Sequence, residues 1–376
     1  MIQFLREWPP GFGGVERVAH SLASELGGTV YCLRPNPYGQ DPLEVSYKRF
    51  AIPALSIARV LVPLPCRRLW HLLASGEVLV AHLPCPTVLL FAVFARLVSP
   101  HRTIWVYWHA FLEPSVGFVG ILLYLYQRVA IYSLRWFRVI ATSPSLIREL
   151  YRSGVNSDQL YFLPCALLPE QENAYLSCRL FSTFDRSVHS CSPSKLSRDR
   201  RVIVVGRLDS YKRVDWLIQA VAAAPAVRVL DVIGDGPLRS TWERLARSLF
   251  SNGQIVYFHG RVTERRKAEL LRSADLLVLP ADRCNEAFGI VQLEAMACGV
   301  PAVAFDLPRS GMHWVSQLPA LPWSGRPHEL AALLQRLLSS SDLQQQASRE
   351  ARERYEEYFA LSIWRQRLQQ LGLAHG

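Results

Sequence analysis

Lysine is scarce in this chain of 376 residues. Only Lys48, Lys195, Lys212 and Lys267 occur among 42 basic residues, so the positive charge is carried almost wholly by arginine. Cysteine is sparse and scattered: eight residues, at 32, 66, 85, 165, 178, 191, 284 and 298, with no two closer than 13 positions. That spacing excludes a Cys-x-x-Cys motif and a zinc ribbon. A disulfide framework is not expected in a chain of this size, which points to a reducing compartment. No Asp-x-Asp pair of the kind that holds Mg²⁺ or Mn²⁺ is present. The opening MIQFLREWPP lacks the apolar stretch of a signal peptide. The longest uncharged apolar run, Leu79 to Ala95, contains a His and two Pro and falls short of the ~20 residues of a spanning helix. Ser115 to Gln127 is shorter still, so no transmembrane helix is expected, only two surfaces suited to touch a bilayer. Gly (21) and Pro (24) follow no period, which excludes a collagen-like chain. A hydrophobic fraction of 50% excludes wholesale disorder.

What is present is enough apolar sequence for two domains, since ~150 residues per domain is a fair prior. The excess of 42 basic over 31 acidic residues gives a net charge of +11. Such a charge fits nucleic acid, an anionic membrane or a phosphorylated substrate.

Along the chain, strand and helix signals alternate. Ile2 to Leu5 reads as a strand, followed by a Pro/Gly-rich loop. Val15, Val18, Ala19, Leu22, Ala23 and Leu26 then form one helical face, with Glu16, Arg17, Ser21 and Glu25 opposite. Val30–Leu33 resumes as a strand. Further strands are expected at 77–81, 103–107, 139–142 and 161–164, with Ser143-Pro144-Ser145 as the N-cap of a helix over Leu146–Tyr151. The stretch 169–200 is polar, Ser-rich and aperiodic, and reads as a linker. A second alternation follows: strands at 201–206, 229–233, 255–259, 276–280 and 302–305, and helices at 214–223, 238–250, 264–273, 290–297 and 328–338. A charged helix pair, 343–371, closes the chain. The expected class is α/β, with two doubly wound parallel sheets.

Four constellations carry chemistry. In Glu286–Val303, EAFGIVQLEAMACGVPAV, two glutamates eight apart differ by about 80° on a helix and do not face one point. The spacing therefore puts Glu286 in a loop and Glu294 in the first turns of the helix. Phe288, Gly289 and Ile290 then lie at the helix start, where free N–H groups favour an anion. The second, Gly206–Arg213, follows a buried strand and offers Arg207 as a planar fork and Lys212 as a point charge, a pair able to hold a diphosphate without a metal. A solvated basic turn is the alternative. The third is Gly11-Phe-Gly-Gly14, with a simple tight turn as its alternative. The fourth is His109, just past a strand, which a core histidine would equally explain.

Together these residues resemble the family 4 retaining glycosyltransferases of the GT-B fold. The likeness runs through GFGGVERVAHSLASEL, ATSPSLIRELYRSGV, GRLDSYKRVDWLIQA, VIGDGPLRSTWERLA, FHGRVTERRKAELLRSADLLVLPA and the Glu-x7-Glu element, in that order. It implies an N-terminal Rossmann-like acceptor domain over 1–168, a polar linker over 169–200 and a C-terminal nucleotide-sugar donor domain over 201–352. A C-terminal helix, 353–376, would pack back on the first domain, and a cleft would separate the two domains. Glu294 would hold the ribose hydroxyls, Glu286 would face the sugar, and Arg207 and Lys212 would hold the diphosphate. Phe288, Gly289 and Ile290 would touch sugar and phosphate, and Gly234 and Arg261 would border the base. Gly13 and Gly14 would close over the diphosphate, and His109 would sit beside the sugar. Neither a cofactor nor a metal is implied. Two departures stand out: Leu-Pro-Cys165-Ala-Leu replaces the family's usual Asn-Gly pair, and the loop after Trp314 is compressed.

The activity so implied is transfer of a hexose from a UDP- or GDP-sugar to a glycan or lipid-linked glycan, in polysaccharide or glycolipid assembly. A GT-B sugar-nucleotide epimerase or phosphorylase, or a non-catalytic binder of anionic ligands, is the alternative. Trp105, Trp108, Phe111, Phe118, Tyr124, Tyr126, Tyr132 and Trp136 lie near Arg128, Arg135 and Arg138, a composition suited to an anionic membrane surface or to plain core packing. The expected location is cytoplasmic, peripheral on the inner face of the membrane. No nucleic-acid motif is found. The charge is spread: 1–170 carries 15 basic and 10 acidic residues, and 171–201 carries 6 and 3.

Overall fold

Fourteen strands build two parallel sheets and one hairpin in the computed structural model, which describes residues 1–11, 13–35, 44–57, 60–113, 116–176, 200–250 and 253–373. The chain divides into two compact units: Met1–Ala166 with Arg309–Gly311 and Trp364–Gly376, and Leu167–Pro308 with Met312–Ile363.

In the first unit the strands are β1 (Ile2–Leu5), β2 (Thr29–Cys32), β3 (Lys48–Ala51), β4 (Ala54–Ile57), β5 (Val60–Pro63), β6 (Leu79–Leu83), β7 (Ile104–Trp108), β8 (Arg138–Ala141) and β9 (Leu160–Phe162). Seven of them form a parallel sheet in the order β3-β2-β1-β6-β7-β8-β9, and β4 and β5 pair separately as an antiparallel ribbon. β6 and β7 are buried along their whole length, as a sheet covered on both faces requires. The helix Gly14–Leu26 buries Val18, Ala19, Leu22 and Ala23, the face its period marks. The helix Pro144–Arg152 begins with Pro at its first turn and with Ser143 Oγ accepting from Leu146 N at 3.2 Å.

In the second unit β10 (Arg201–Val205), β11 (Val229–Ile233), β12 (Ile255–Gly260), β13 (Leu276–Leu279) and β14 (Ala302–Ala304) form a parallel sheet ordered β12-β11-β10-β13-β14. The order reverses between β10 and β13. Their C-terminal ends flank the crevice where sheets of this kind bind ligands.

The structure corrects the sequence reading in places. Residues 169–176 are not linker but the helix Pro169–Leu176. Glu172 Oε1 in that helix accepts from the Tyr355 hydroxyl and from Leu361 N, both at 2.8 Å. The remainder of the expected linker, apart from Arg200, lies outside the described residues. Residue 353 falls inside the helix Ser341–Tyr358 rather than at a break. β3, the β4–β5 ribbon and the helix Arg67–Ala74 were not expected. Residues 117–127 of the apolar segment belong to a longer helix, Gly117–Ser133, that runs into a 3₁₀ turn, and Gly117–Trp136 is long and apolar enough to cross a membrane by length and composition. Six cysteines, at 32, 66, 85, 165, 284 and 298, are free thiols.

Candidate functional site

The loop after β10 and the loop after β13 meet through side chains. Lys212 Nζ donates to Glu286 Oε2, and both side chains are largely buried, at 12% and 18% exposure. Burial works against the Lys212 ammonium, but the Glu286 carboxylate outweighs it, so the lysine pKa stands above its ordinary value. The backbone of Arg213 is left-handed (φ 44°), an uncommon conformation for a residue with a side chain. Its guanidinium is clamped by Asp215 (2.8 and 3.1 Å) and Asp282 (3.2 Å) and lies over the Trp216 ring. Asp282 N donates to Tyr211 O at 3.0 Å, which ties the same two loops again. Arg207 projects into solvent, 71% exposed, and its one ion pair among the described residues is a long contact of 3.7 Å to Asp209.

Glu286 lies in the loop and Glu294 in the first turn of the helix Val291–Ala297, as the eight-residue spacing requires. Gly289 precedes that helix at φ 73°, and a Cβ there would sit 2.3 Å from Leu279 Cδ2. Phe288 and Ile290 flank it, with Phe288 buried. Glu294 is 1% exposed and pairs with Lys267 at 2.9 Å; Lys267 is 6% exposed and also reaches Glu264 at 2.9 Å. The sequence reading missed Lys267. It stands in ERRKAELLRS, which reads as an ordinary charged helix, and only the fold brings it to Glu294. On the base side of the expected site, Gly234 N donates to Gly260 O at 2.8 Å, joining the ends of β11 and β12, and Arg261 follows, exposed.

In the first unit Gly13 caps the helix Gly14–Leu26, and both Gly13 and Gly14 are exposed. Glu16, expected on the outer face of that helix, instead folds its carboxyl under the loop: a Cβ on Gly13 would lie 2.1 Å from Glu16 Oε2. Burial raises the pKa of this carboxyl. His109 follows β7, donates from its backbone to Leu83 O at 2.9 Å, and is 8% exposed. Its Nε2 lies 2.8 Å from His82 Nδ1. Of the aromatic cluster, Trp105, Trp108 and Phe111 are core residues, whereas Phe118, Tyr124, Tyr132 and Trp136 are exposed.

The family model "Glycosyl transferases group 1" matches residues 190–354, and "Glycosyltransferase Family 4" matches residues 12–170. The chain is 36% identical over 116 residues to the D-inositol 3-phosphate glycosyltransferase of Mycolicibacterium smegmatis, covering 29% of this chain and 26% of that protein. It is 40% identical over 102 residues to a GDP-mannose-dependent alpha-(1-6)-phosphatidylinositol dimannoside mannosyltransferase of Mycobacterium tuberculosis, covering 26% and 25%. The matched stretch thus spans about a quarter of the length of these relatives. In fold, the chain is similar to Anabaena HepE in complex with UDP (TM-score 0.70, 17% identity, 99% of both chains). It is also similar to WaaG, a glycosyltransferase involved in lipopolysaccharide biosynthesis (TM-score 0.65, 18% identity, 100% of both chains). Two parallel sheets of this topology, matched in sequence by both halves of one family, identify the chain as a member of the family 4 glycosyltransferases with the GT-B fold.

Proposed function

We propose that this protein transfers a hexose from a UDP- or GDP-sugar to a glycan or lipid-linked glycan acceptor, with retention at the anomeric carbon and without a metal. The observation that carries the reading is the cluster of Lys212, Glu286, Gly289 and Glu294 at the ends of β10 and β13. Lys212 and Arg207 supply positive charge to a diphosphate, and Glu294 accepts from the ribose hydroxyls. Glu286 faces the sugar, the backbone of Phe288, Gly289 and Ile290 meets sugar and phosphate, and Gly234 and Arg261 border the base. In the first unit, His109 is assigned to the sugar and Gly13 and Gly14 to the diphosphate. In the reaction the bond from the anomeric carbon to the diphosphate oxygen breaks, and its electron pair leaves with the phosphate. The acceptor hydroxyl bonds to the same face and gives its proton to the departing oxygen. Lys212, already held in the site, together with Arg207 drawn in from solvent, stabilises the transition state more than the ground state.

The first unit supports the reading of the acceptor and the membrane. Residues 45–140 hold ten Lys and Arg but only two acidic residues, Glu77 and Glu113. The same segment exposes Leu90, Phe94 and Leu97 on the helix Pro86–Val98 and Phe118, Leu122 and Leu125 on the helix Gly117–Ser133. Apolar side chains among arginines fit the surface of an anionic bilayer. The reading therefore includes peripheral binding at the cytoplasmic leaflet and a lipid-linked acceptor.

The deciding experiment incubates the protein with a panel of UDP-, GDP- and ADP-sugars, with and without EDTA, and follows sugar transfer and nucleotide release. Transfer from a UDP- or GDP-sugar that survives EDTA is expected. Turnover of the donor to an epimer without an acceptor would assign the epimerase reading instead. Absence of both turnover and thermal stabilisation by UDP or GDP would overturn the reading.

A further inference from the structure

Three neighbouring strands of the first sheet place a polar relay inside the core. Gln3 stands on β1, His82 on β6, and His109 directly after β7. Gln3 and His82 are 1% and 2% exposed. Gln3 Nε2 donates to Ala19 O at 3.0 Å. This fixes the amide, because the opposite orientation would set two oxygens against each other. Gln3 Oε1 then faces His82 Nε2 at 2.8 Å, and as an acceptor it requires the proton to be on that nitrogen. A neutral imidazole carries one proton, so His82 Nδ1 is the lone pair. The 2.8 Å contact from His82 Nδ1 to His109 Nε2 closes only if His109 Nε2 is the donor.

The consequence falls on the other nitrogen of His109. Its Nδ1 holds a lone pair and makes no hydrogen bond among the described residues. Tyr107, whose hydroxyl donates to Leu163 O at 2.9 Å, stacks on the ring with centroids 4.5 Å apart at 11° and holds its plane, and the 2.8 Å contact of Nε2 to His82 sets which edge faces that residue. Burial holds His82 at a pKa of about 3 and holds His109 well below its ordinary value, which keeps both rings neutral at physiological pH.

We infer that Gln3 and His82 are positioning residues that lock His109 in its Nε2–H tautomer, so that Nδ1 is a fixed acceptor for a hydroxyl of the bound sugar. The inference rests on the glycosyl-transfer reading for the identity of that hydroxyl, and on the geometry of this unit alone for the tautomer. His109 so held accepts a hydrogen bond and donates none from Nδ1. It selects a ligand that brings a hydroxyl there rather than an acceptor oxygen.

The test has two arms. Long-range ¹H–¹⁵N spectra of histidine-labelled protein, assigned with His109→Asn, read the tautomer directly. A bare, lone-pair Nδ1 on His109 is expected, and a protonated Nδ1 would overturn the proposal. The second arm compares His82→Asn with His82→Leu, and adds Gln3→Leu. Asparagine keeps an acceptor where Nδ1 was, whereas leucine keeps more of the apolar bulk. Locking of the tautomer therefore ranks H82N above H82L in kcat, with H82L and Q3L each down about tenfold. A packing role ranks them the other way, and equal kcat in H82N and H82L would also overturn the proposal. If the wild type turns over no nucleotide sugar, the transfer reading falls, while the spectra still decide the tautomer.

Discussion

Lys212 donates its ammonium hydrogen bond to Glu286, across 74 residues of sequence, and so closes the loop after β10 onto the loop after β13. The lysine is held charged and largely dry, while its neighbour Arg207 stands in solvent. In the proposed diphosphate site the two cations would thus be prepared differently: Lys212 is already held in place, and Arg207 would have to swing in.

Substituting either cation tests that division. Lys212→Met and Arg207→Ala are each expected to lower kcat by ~10²–10³ when the leaving diphosphate loses a positive partner. Steady-state kinetics with the active donor check this. Wild-type kcat in R207A would remove Arg207 from the diphosphate site.

Lys267→Met strips the buried Glu294 of its ion-pair partner. Breaking a buried ion pair by removing one member costs about 3–5 kcal/mol, which urea unfolding would show. Because Glu294 is assigned to the ribose, KM for the donor should rise more than kcat falls. The preference for UDP over 2′-deoxy-UDP should shrink by calorimetry.

Arg213 permits a cleaner comparison. Arg213→Ala loses the pairs with Asp215 and Asp282 and keeps the left-handed backbone, whereas Arg213→Gly loses the same pairs and relieves it. The glycine variant should exceed the alanine variant in stability by about 1 kcal/mol. Equal unfolding midpoints would mean the φ of 44° is not strained.

Glu16 gives a pH dependence with a fixed sign. Burial raises its carboxyl pKa in the folded protein, with the charge of Glu7 adding to the shift. The folded state therefore holds this proton more tightly than the unfolded chain, and the group favours folding at low pH. That contribution fades as pH rises through the raised folded value. Glu16→Gln should accordingly raise Tm at pH 7.5 and lose that advantage at pH 4. The same offset at both pH values would contradict the assignment.

Flotation with anionic liposomes checks the membrane surface. The protein should float at low salt and less at high salt, as screened arginine contacts require. Replacing Phe118, Leu122 and Leu125 together by Ser should weaken partitioning about tenfold or more. A wild-type chain that stays at the bottom at low salt would remove the bilayer from the reading.

Much of this fold is written locally. The strand Val229–Ile233 and the helix Glu264–Ser273 match their sequence signals to the residue, because an apolar run bounded by breakers and a Thr263 cap are short-range features. The same holds for the placing of Glu286 in a loop and Glu294 in a helix. Lys267, Gln3 and His82 carry no such signal. Each is polar in a segment whose pattern is set by its neighbours, and each finds its partner at long range: Glu294 for Lys267, and two other strands for the relay. Exposed β4 and β5 lack the buried apolar run that reveals a central strand. Glu16 shows the limit of periodicity: it lies on the outer arc of the helix by phase, yet the glycine loop folds back over it.

The helix Pro169–Leu176 decides where the second unit can be cut. A fragment beginning at Arg201 would lack Glu172, and so would leave the Tyr355 hydroxyl and Leu361 N–H without their acceptor. It would also take the Ala174 carbonyl from Arg272, which donates to it at 2.6 Å. A fragment beginning at Leu167 keeps all three. Proteolysis anywhere between 177 and 199 would therefore yield a nicked unit that retains this helix by noncovalent contact.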